Sequence, residues 1–348
     1  MAEYGIPYMG SKSKICNELI KVFPKAENFY DIFGGGFSVT HAMLTRRSKD
    51  YKSFHFNELR AGVCELIKDA IAGKYNYDVF KPPFVSSEEF FDRVEKDAYV
   101  KCLWSFGNKG TSYLFSKEIE PYKKSIHNAI IFNEFDDIAQ KTLGMNKFKD
   151  GYGVKDRRLF VRNRIETFRK TKIPEFLYPY LSEDQLEKSK SMNSLQQLQR
   201  LERLQQLEQL ERLEQLERLQ RLQQLEQLER LQQLQQLQQL EQLTFYSTTY
   251  DNVPIKQNSI IYCDPPYEDT ADYQSDFNTN KFLDWAAKQN NPVFISEYDI
   301  TDKRFHLIFK INKRSMLSSN KEMKVKVEKV YANDLGRYAF LKHARGIK

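Results

Sequence analysis

The first 75 residues combine short apolar runs with stretches of helical spacing. The runs NFYDIF and SFHFNEL predict strands, whereas CNELIKVF and AGVCELIKDAIAG predict helices, the second of which ends at Gly73. A GGG turn leads from the first strand into FSVTHAMLTRR, which also has the spacing of a helix. This order of strand, glycine turn, helix, strand and helix predicts the opening of a doubly wound α/β fold with a parallel sheet.

The same α/β character returns after residue 245. SIIYCDPPY predicts a buried strand that runs into a proline turn, NKFLDWAAKQ a helix, and NPVFISEYD another strand. KVKVEKVYAND and GRYAFLKH are predicted to be closing strands. We therefore expect one sheet domain built from residues 1–80 and 245–348, with an insertion at 81–194 and a separate repeat at 195–243.

The repeat carries leucine at every third position from Leu195 to Leu243, seventeen leucines in all. The next residue is always Gln or Glu, and the one after it always Gln or Arg, so tandem expansion of a nine-nucleotide unit is a reasonable hypothesis for its origin. The composition favours a helix. At about 100° per residue, however, the leucines would spiral around every face, and a 3₁₀ helix that aligned them is unfavourable beyond a few residues.

The alternative is a small β-solenoid in which leucines point inward and the two polar columns point outward. We expect the solenoid, with a helix as the competing interpretation. The repeat holds 8 Glu and 6 Arg, a net charge of −2 that suits phosphate poorly. It is therefore expected to act as a spacer, or as a surface for a protein partner or for self-association.

Composition and charge narrow the functional classes. With 348 residues and 41% hydrophobic side chains the chain can bury a large core. Its four cysteines are scattered, which favours reduced thiols and predicts no metal site, and the absence of a long apolar run predicts a cytoplasmic protein.

The window 147–172 holds ten Lys and Arg against three acidic residues, a charge of +7 that equals the excess of the whole chain. Such clustering indicates a polyanion partner, although a solvated helix face is the alternative. The candidate contacts, predicted as a group, are Arg157, Arg158, Arg162, Arg164, Lys170 and Lys172.

Two stretches carry candidate chemistry. The glycine turn DIFGGGFS allows a ligand close to the backbone at a helix N-terminus, and Glu58, after the next strand, can hold ribose hydroxyls. An ordinary tight turn is the alternative for this stretch.

The second stretch, DPPY at 264–267, is more specific. The prolines Pro265 and Pro266 fix the backbone just past the carboxyl end of a strand, where open α/β sheets bind ligands. The Asp264 carboxylate and the Pro265 carbonyl can accept both protons of an exocyclic amine, and Tyr267 offers a ring for stacking. These hydrogen bonds would localise the nitrogen lone pair, which conjugation otherwise makes a poor nucleophile.

In this order the motifs resemble those of the Dam-type DNA adenine-N6 methyltransferases, especially the members carried by phages. PYMGSKSKI is similar to the N-terminal cofactor motif, DIFGGGFSV to the methionine-pocket motif, FNEL to the motif of the ribose-binding acid and IYCDPPY to the catalytic motif. The resemblance implies S-adenosylmethionine as cofactor, bound by Tyr8, Gly10, Lys12, Asp31, Phe33, Gly34, Gly36, Glu58 and Asp264. The implied fold is a Rossmann-like methyltransferase sheet, and the implied substrate is adenine in double-stranded DNA.

The resemblance also implies a mechanism. The target adenine leaves the duplex stack, stacks on Tyr267 and donates from N6 to Asp264 and the Pro265 carbonyl, without a metal ion. The insertion at 81–194 is then expected to read DNA, its basic residues to contact phosphates, and Trp104 and Phe106 to lie in the core. Alternatives are an amino-methyltransferase acting on cytosine N4, RNA or a protein glutamine, and a catalytically silent DNA-binding scaffold.

Overall fold

A computed structural model describes residues 4–77, 79–171, 228–237, 242–266, 277–297, 299–314 and 325–346. Its described residues form a seven-stranded sheet in the order β3-β2-β1-β4-β5-β7-β6. The strands are β1 (Asn28–Asp31), β2 (Ser53–Asn57), β3 (Leu243–Tyr246), β4 (Ser259–Cys263), β5 (Val293–Glu297), β6 (His306–Arg314) and β7 (Val325–Ala332). The predicted α/β fold, with a mostly parallel sheet, is confirmed.

The centre of the sheet is β1, which pairs in parallel with β2 on one side and β4 on the other. The chain reverses its strand order here, which is where doubly wound sheets bind ligands. Every residue of β1 and β4 is buried because helices cover both faces of the sheet. Alternate side chains therefore enter two cores, so that Phe29 lies in one and Tyr30 in the other.

The helices surround this sheet and build the insertion. Their bounds are α1 (Cys16–Leu19), α2 (Ser38–Arg47), α3 (Val63–Ile71), α4 (Ser87–Arg93), α5 (Ala98–Leu103), α6 (Glu120–Phe132), α7 (Asp137–Leu143), α8 (Val154–Thr171), α9 (residues 228–233), α10 (Thr279–Ala287) and α11 (Asp334–Ala344). Short 3₁₀ turns lie at Ile20–Val22, Ser48–Asp50, Phe106–Asn108, Leu234–Leu237 and Tyr250–Asn252.

One predicted strand is wrong: GRYAFLKH belongs to α11, not to the sheet. The side chain of Asn333 caps that helix by accepting from the backbone N–H of Gly336 at 2.8 Å. Gly336 also lies against the sheet so closely that a Cβ atom there would be 2.7 Å from the Val293 carbonyl oxygen. The apolar residues Tyr338 and Leu341 of this segment are exposed rather than buried in the sheet, so their alternation does not mark a strand.

The described part of the insertion shares a core with the sheet. Trp104, Phe115 and Phe148 pack in the same cluster as Phe54 of β2. Trp104 is fully buried, as predicted, whereas Phe106 is 53% exposed and the core assignment of that residue is wrong. Phe106 lies outside the core because it begins a 3₁₀ turn that contains Gly107 at a positive φ of 65°.

The expected solenoid is not what forms over the described end of the repeat. Residues 228–233 are α-helical and Leu234–Leu237 form a 3₁₀ turn, so we call residues 228–237 the repeat helix. The four leucines of the repeat helix are all buried in the larger core: Leu228, Leu231, Leu234 and Leu237. The change to 3₁₀ geometry, with three residues per turn, keeps leucines of period three on one face over this short distance.

The two polar columns of the repeat also differ within the repeat helix. The second residue of each triplet is half-buried and meets the protein: Glu229 forms an ion pair with Arg158, and Gln232 donates to the Tyr75 carbonyl at 2.9 Å. The third residue is exposed in two of the three triplets. The second residue of each triplet therefore faces the protein and the third mostly faces solvent. This difference explains why the two positions carry different polar residues, and it does not require a solenoid.

The repeat ends inside the sheet. Its last leucine, Leu243, is the first residue of β3 and pairs with Phe54, and the repeat helix packs on α3. The repeat helix therefore lies between the insertion and the edge strand as a crossover helix would. Residues 195–227 of the repeat lie outside the described residues. Among the described helices, none is both long and apolar enough to span a membrane.

Candidate active site

The glycine turn after β1 is built for close backbone approach. A Cβ atom on Gly34 would lie 2.1 Å from the Phe56 ring, and one on Gly36 would lie 2.4 Å from Cβ of Tyr8. Gly35 has a positive φ of 51°. Only glycine therefore fits these positions, and the turn brings the N-terminus of α2 to the carboxyl edge of β1.

The segment around Tyr8 covers this turn. The backbone N–H of Ile6 donates to the Gly36 carbonyl at 2.8 Å, and the Arg60 guanidinium lies 4.9 Å from the centre of the Tyr8 ring. Gly10 has a positive φ of 78°, which lets the chain turn back toward the sheet. The predicted N-terminal motif and the glycine turn thus form one surface.

Two carboxylates flank the turn. Asp31 is buried; its Oδ2 accepts from the Thr40 hydroxyl at 2.7 Å, while Oδ1 has no hydrogen-bond partner among the described residues. Burial raises the pKa of Asp31 to about 7. Glu58 follows β2 and accepts from the backbone N–H groups of Gly35 and Arg60, each at 2.8 Å.

Asp264, at the carboxyl end of β4, faces Lys12. The Lys12 Nζ atom lies 2.6 Å from each Asp264 carboxylate oxygen, although the two residues are 252 positions apart. It also lies 3.4 Å from Oε1 of Glu328 on β7. Burial opposes the charged form of Lys12, but the two carboxylates outweigh burial and raise its pKa above the ordinary value. Lys12 is therefore an ammonium at neutral pH.

The surroundings fit a nucleoside cofactor that carries an ammonium group. The open oxygen of Asp31 can accept from an ammonium, the glycine turn leaves space for a ligand at the backbone, and Glu58 presents a carboxylate at the next strand end. Phe33 adds an apolar wall, with its ring 5.3 Å from that of Phe282. All these groups lie at the carboxyl ends of β1, β2 and β4.

A cleft of about 310 Å³ opens beside Pro265 and Pro266. Its other walls come from Phe277, from α10, from Ile295 and Glu297 of β5, and from residues 299–302. The cleft is therefore next to Asp264, on the side where β5 ends. Tyr267, the predicted stacking residue, lies outside the described residues. No group of His, Cys, Asp or Glu suited to a metal ion occurs among the described residues.

The basic residues of α8 divide into different environments. Arg157 donates to the Tyr152 carbonyl at 2.9 Å and to the carbonyl of Ile130, in the last turn of α6, at 3.3 Å. The Arg158 side chain is only 11% exposed and pairs with Glu229. Arg162 is exposed. The Arg157 guanidinium thus joins α8 to α6 and that of Arg158 joins α8 to the repeat helix, while phosphate contact by these two residues stays a prediction.

The remaining three basic candidates cannot be assigned contacts in the same way. Lys172 lies outside the described residues, and the side chains of Arg164 and Lys170 lie outside the described part of α8.

Glu328 is a site residue that the motifs missed. It is buried on the same face of β7 as Val330 and Ala332, so a charged residue at a core-facing position of the strand was the available signal.

The glycine turn, the strand-end carboxylates and the Asp-Pro-Pro turn all lie at the switch point of the sheet, the arrangement typical of an α/β enzyme with a ligand site there. Residues 8–292 match the family model of the D12 class N6 adenine-specific DNA methyltransferases, and the chain belongs to this family. The protein is therefore an enzyme that methylates N6 of adenine in DNA. No curated protein sequence matches the chain.

Proposed function

We propose that the enzyme uses S-adenosylmethionine as methyl donor and binds it at the carboxyl ends of β1 and β2. Asp31 Oδ1 would accept from the amino group of the cofactor, the glycine turn would adjoin its methionine portion, and Glu58 would accept from its ribose hydroxyls. The open, buried oxygen of Asp31 supports this assignment most directly, since a buried acceptor is normally satisfied. Bound there, the cofactor supplies a methyl group on a positively charged sulfur.

Asp264 and the Pro265 carbonyl would receive the target amine. In duplex DNA the N6 amino group is paired, so the adenine must leave the stack, at a cost of a few kcal/mol. Asp264 would then accept one N6–H and Pro265 the other, which leaves the nitrogen lone pair available for an in-line attack, and Tyr267 would stack on the base. Since the methyl group would pass directly from sulfur to N6, Asp264, held by Lys12, acts by accepting and orienting rather than by nucleophilic attack.

The observation that carries the catalytic assignment is the position of Asp264. It follows the central strand β4, one strand from the glycine turn, with its carboxylate fixed by a buried ammonium. A group placed there can reach a ligand at the switch point and a base in the cleft beside Pro265 and Pro266.

The test is methyl transfer from labelled S-adenosylmethionine to unmethylated DNA, followed by digestion and identification of the methylated nucleoside. Asp264→Ala should abolish formation of N6-methyladenine while cofactor affinity, measured by calorimetry, changes little. Asp284→Asn, at an exposed carboxylate of α10, is the matched control and should retain activity. Retained transfer by Asp264→Ala would refute the role of Asp264, and N4-methylcytosine as the product would refute the proposed base.

A further inference from the structure

Glu328 is a buried carboxylate that forms an ion pair with the buried Lys12 ammonium. Its side chain is 2% exposed and that of Lys12 is 4% exposed, so both charges have left water. A buried charge is costly unless it is paired. Two carboxylates, those of Asp264 and Glu328, share the Lys12 ammonium as a partner at 2.6 and 3.4 Å.

The backbones of Glu328 and Asp264 are held in place differently. Glu328 lies inside β7, where it pairs with Ile311 of β6 and directly precedes Lys329, which pairs with Glu297 at the end of β5. Asp264 comes just after the end of β4, where the chain leaves the sheet. Lys12 reaches them from an N-terminal loop on a flexible four-carbon side chain. Of the three groups, Glu328 therefore has the most firmly placed backbone.

We propose that Glu328 is a positioning residue for methyl transfer: it holds the Lys12 ammonium, which in turn fixes the Asp264 carboxylate toward the target amine. This inference rests on the proposed role of Asp264. Lys12 occupies one side of the carboxylate by lying 2.6 Å from both oxygens. A carboxylate can accept several hydrogen bonds, so an amine can donate to Asp264 from a side that Lys12 does not occupy.

Without the charge of Glu328, Lys12 would lose its attraction toward β7, and the Lys12–Asp264 pair could shift away from that strand. A displacement of this kind changes the direction of the acceptor rather than the binding of cofactor or DNA. The cost should consequently appear in the transfer step, where small errors of position reduce the rate by about 10- to 100-fold.

Glu328→Gln is the decisive variant because it keeps shape and an acceptor oxygen but removes the charge. We expect its single-turnover rate to fall at least about tenfold, with dissociation constants for S-adenosylmethionine and DNA within about twofold of wild type. Glu27→Gln is the matched control: it removes a comparable Lys–Glu pair, with exposed Lys52, near the amino ends of the strands and should leave the rate unchanged.

A double-mutant cycle tests whether the effect passes through Lys12. In a Lys12→Gln background, Glu328→Gln should change the residual rate less than about twofold. An equal loss in both backgrounds, or a wild-type rate for Glu328→Gln alone, would overturn the proposal. If Lys12→Gln does not fold, the single variant decides: a lost rate with intact binding supports positioning, whereas an equal loss of cofactor binding overturns it.

The same assay separates this inference from the proposed function. Wild-type protein that transfers no methyl group to adenine would refute the proposed function itself. Active wild-type protein combined with an unaffected Glu328→Gln variant would refute only the role of Glu328.

Discussion

Glu229, in the repeat, forms an ion pair with Arg158, in the basic helix α8. The contact joins the two segments of the chain whose charge and periodicity stand out most in the sequence. Tyr77 lies beside the same pair, and burial raises the pKa of its hydroxyl to about 12. The repeat helix and α8 thus stabilise one another, and the basic window has a structural part as well as an exposed one.

This division predicts opposite effects for two arginines. Arg158→Met should lower the free energy of unfolding by about 1–3 kcal/mol, because Glu229 loses its partner, and should leave the salt dependence of DNA affinity unchanged. Arg162→Ala should keep the stability but reduce the slope of log affinity against log salt by about 1. Thermal unfolding and DNA titrations at several salt concentrations measure both. A reduced salt slope for Arg158→Met would restore that residue as a phosphate contact.

The effect of a deletion in the repeat helix should depend on whether it preserves the three-residue spacing of the buried leucines. Removing residues 228–230 draws Leu225, Glu226 and Gln227 into their places, so every buried leucine position is refilled and only Arg230 is replaced. Removing Gln233 alone instead moves Arg230 into the buried position of Leu231. We expect near-wild-type melting temperature and methylation for the first deletion, and loss of both for the second.

The single-residue deletion removes less of the chain and serves as the matched control for the triplet. Equal damage by the two deletions would mean that the packing depends on particular triplets rather than on the period of the leucines.

The raised pKa of Asp31 predicts in which direction the free energy of unfolding changes with pH. Its pKa is raised from 3.8 to about 7, so the folded, cofactor-free protein binds more protons than the unfolded chain between these values. The contribution of Asp31 to stability therefore falls as pH rises from about 4 to about 7. Asp31→Asn should remove this loss, and unfolding of both proteins at pH 5 and pH 8 measures the difference.

The same group should make cofactor binding pH-dependent. If an ammonium binds to ionised Asp31, affinity rises toward pH 7 and binding below that pH releases a proton. Calorimetry in two buffers of different ionisation enthalpy counts the proton. An unchanged pH dependence in Asp31→Asn would exclude Asp31 as the group responsible.

Gly34→Ala should disable the cofactor site. The added Cβ would lie 2.1 Å from the Phe56 ring, and that buried ring cannot move without disturbing the core. We expect a loss of about 1–3 kcal/mol in unfolding free energy and weaker cofactor binding. Gly153→Ala is the control, since its Cβ would meet its nearest atom at 3.6 Å and needs no positive φ. Similar effects of the two substitutions would indicate a general loss of helical or loop stability.

The sequence identified the parts of the fold whose pattern is set locally. Apolar runs marked β1, β2, β4 and β5, because central strands are buried on both faces, and the glycine and DPPY turns marked the switch point. It could not identify Glu328, whose meaning depends on Lys12 reaching it across the sheet. The solenoid prediction is wrong over residues 228–237. The argument against a helix assumed a constant α-helical angle per residue, whereas this segment changes to 3₁₀ geometry within ten residues.

During synthesis of the chain, β1 must wait for β4 before the two strands can pair. The Asn28 side chain, at the start of β1, bonds to the carbonyl of Gln257, which lies 229 residues later in the chain. At about 5–20 residues per second a ribosome needs roughly 10–45 s to make that stretch. During this interval one edge of β1 has no strand to pair with, and the unfinished sheet is open to wrong partners. Chaperone dependence of the nascent chain should therefore end only when β4 has emerged.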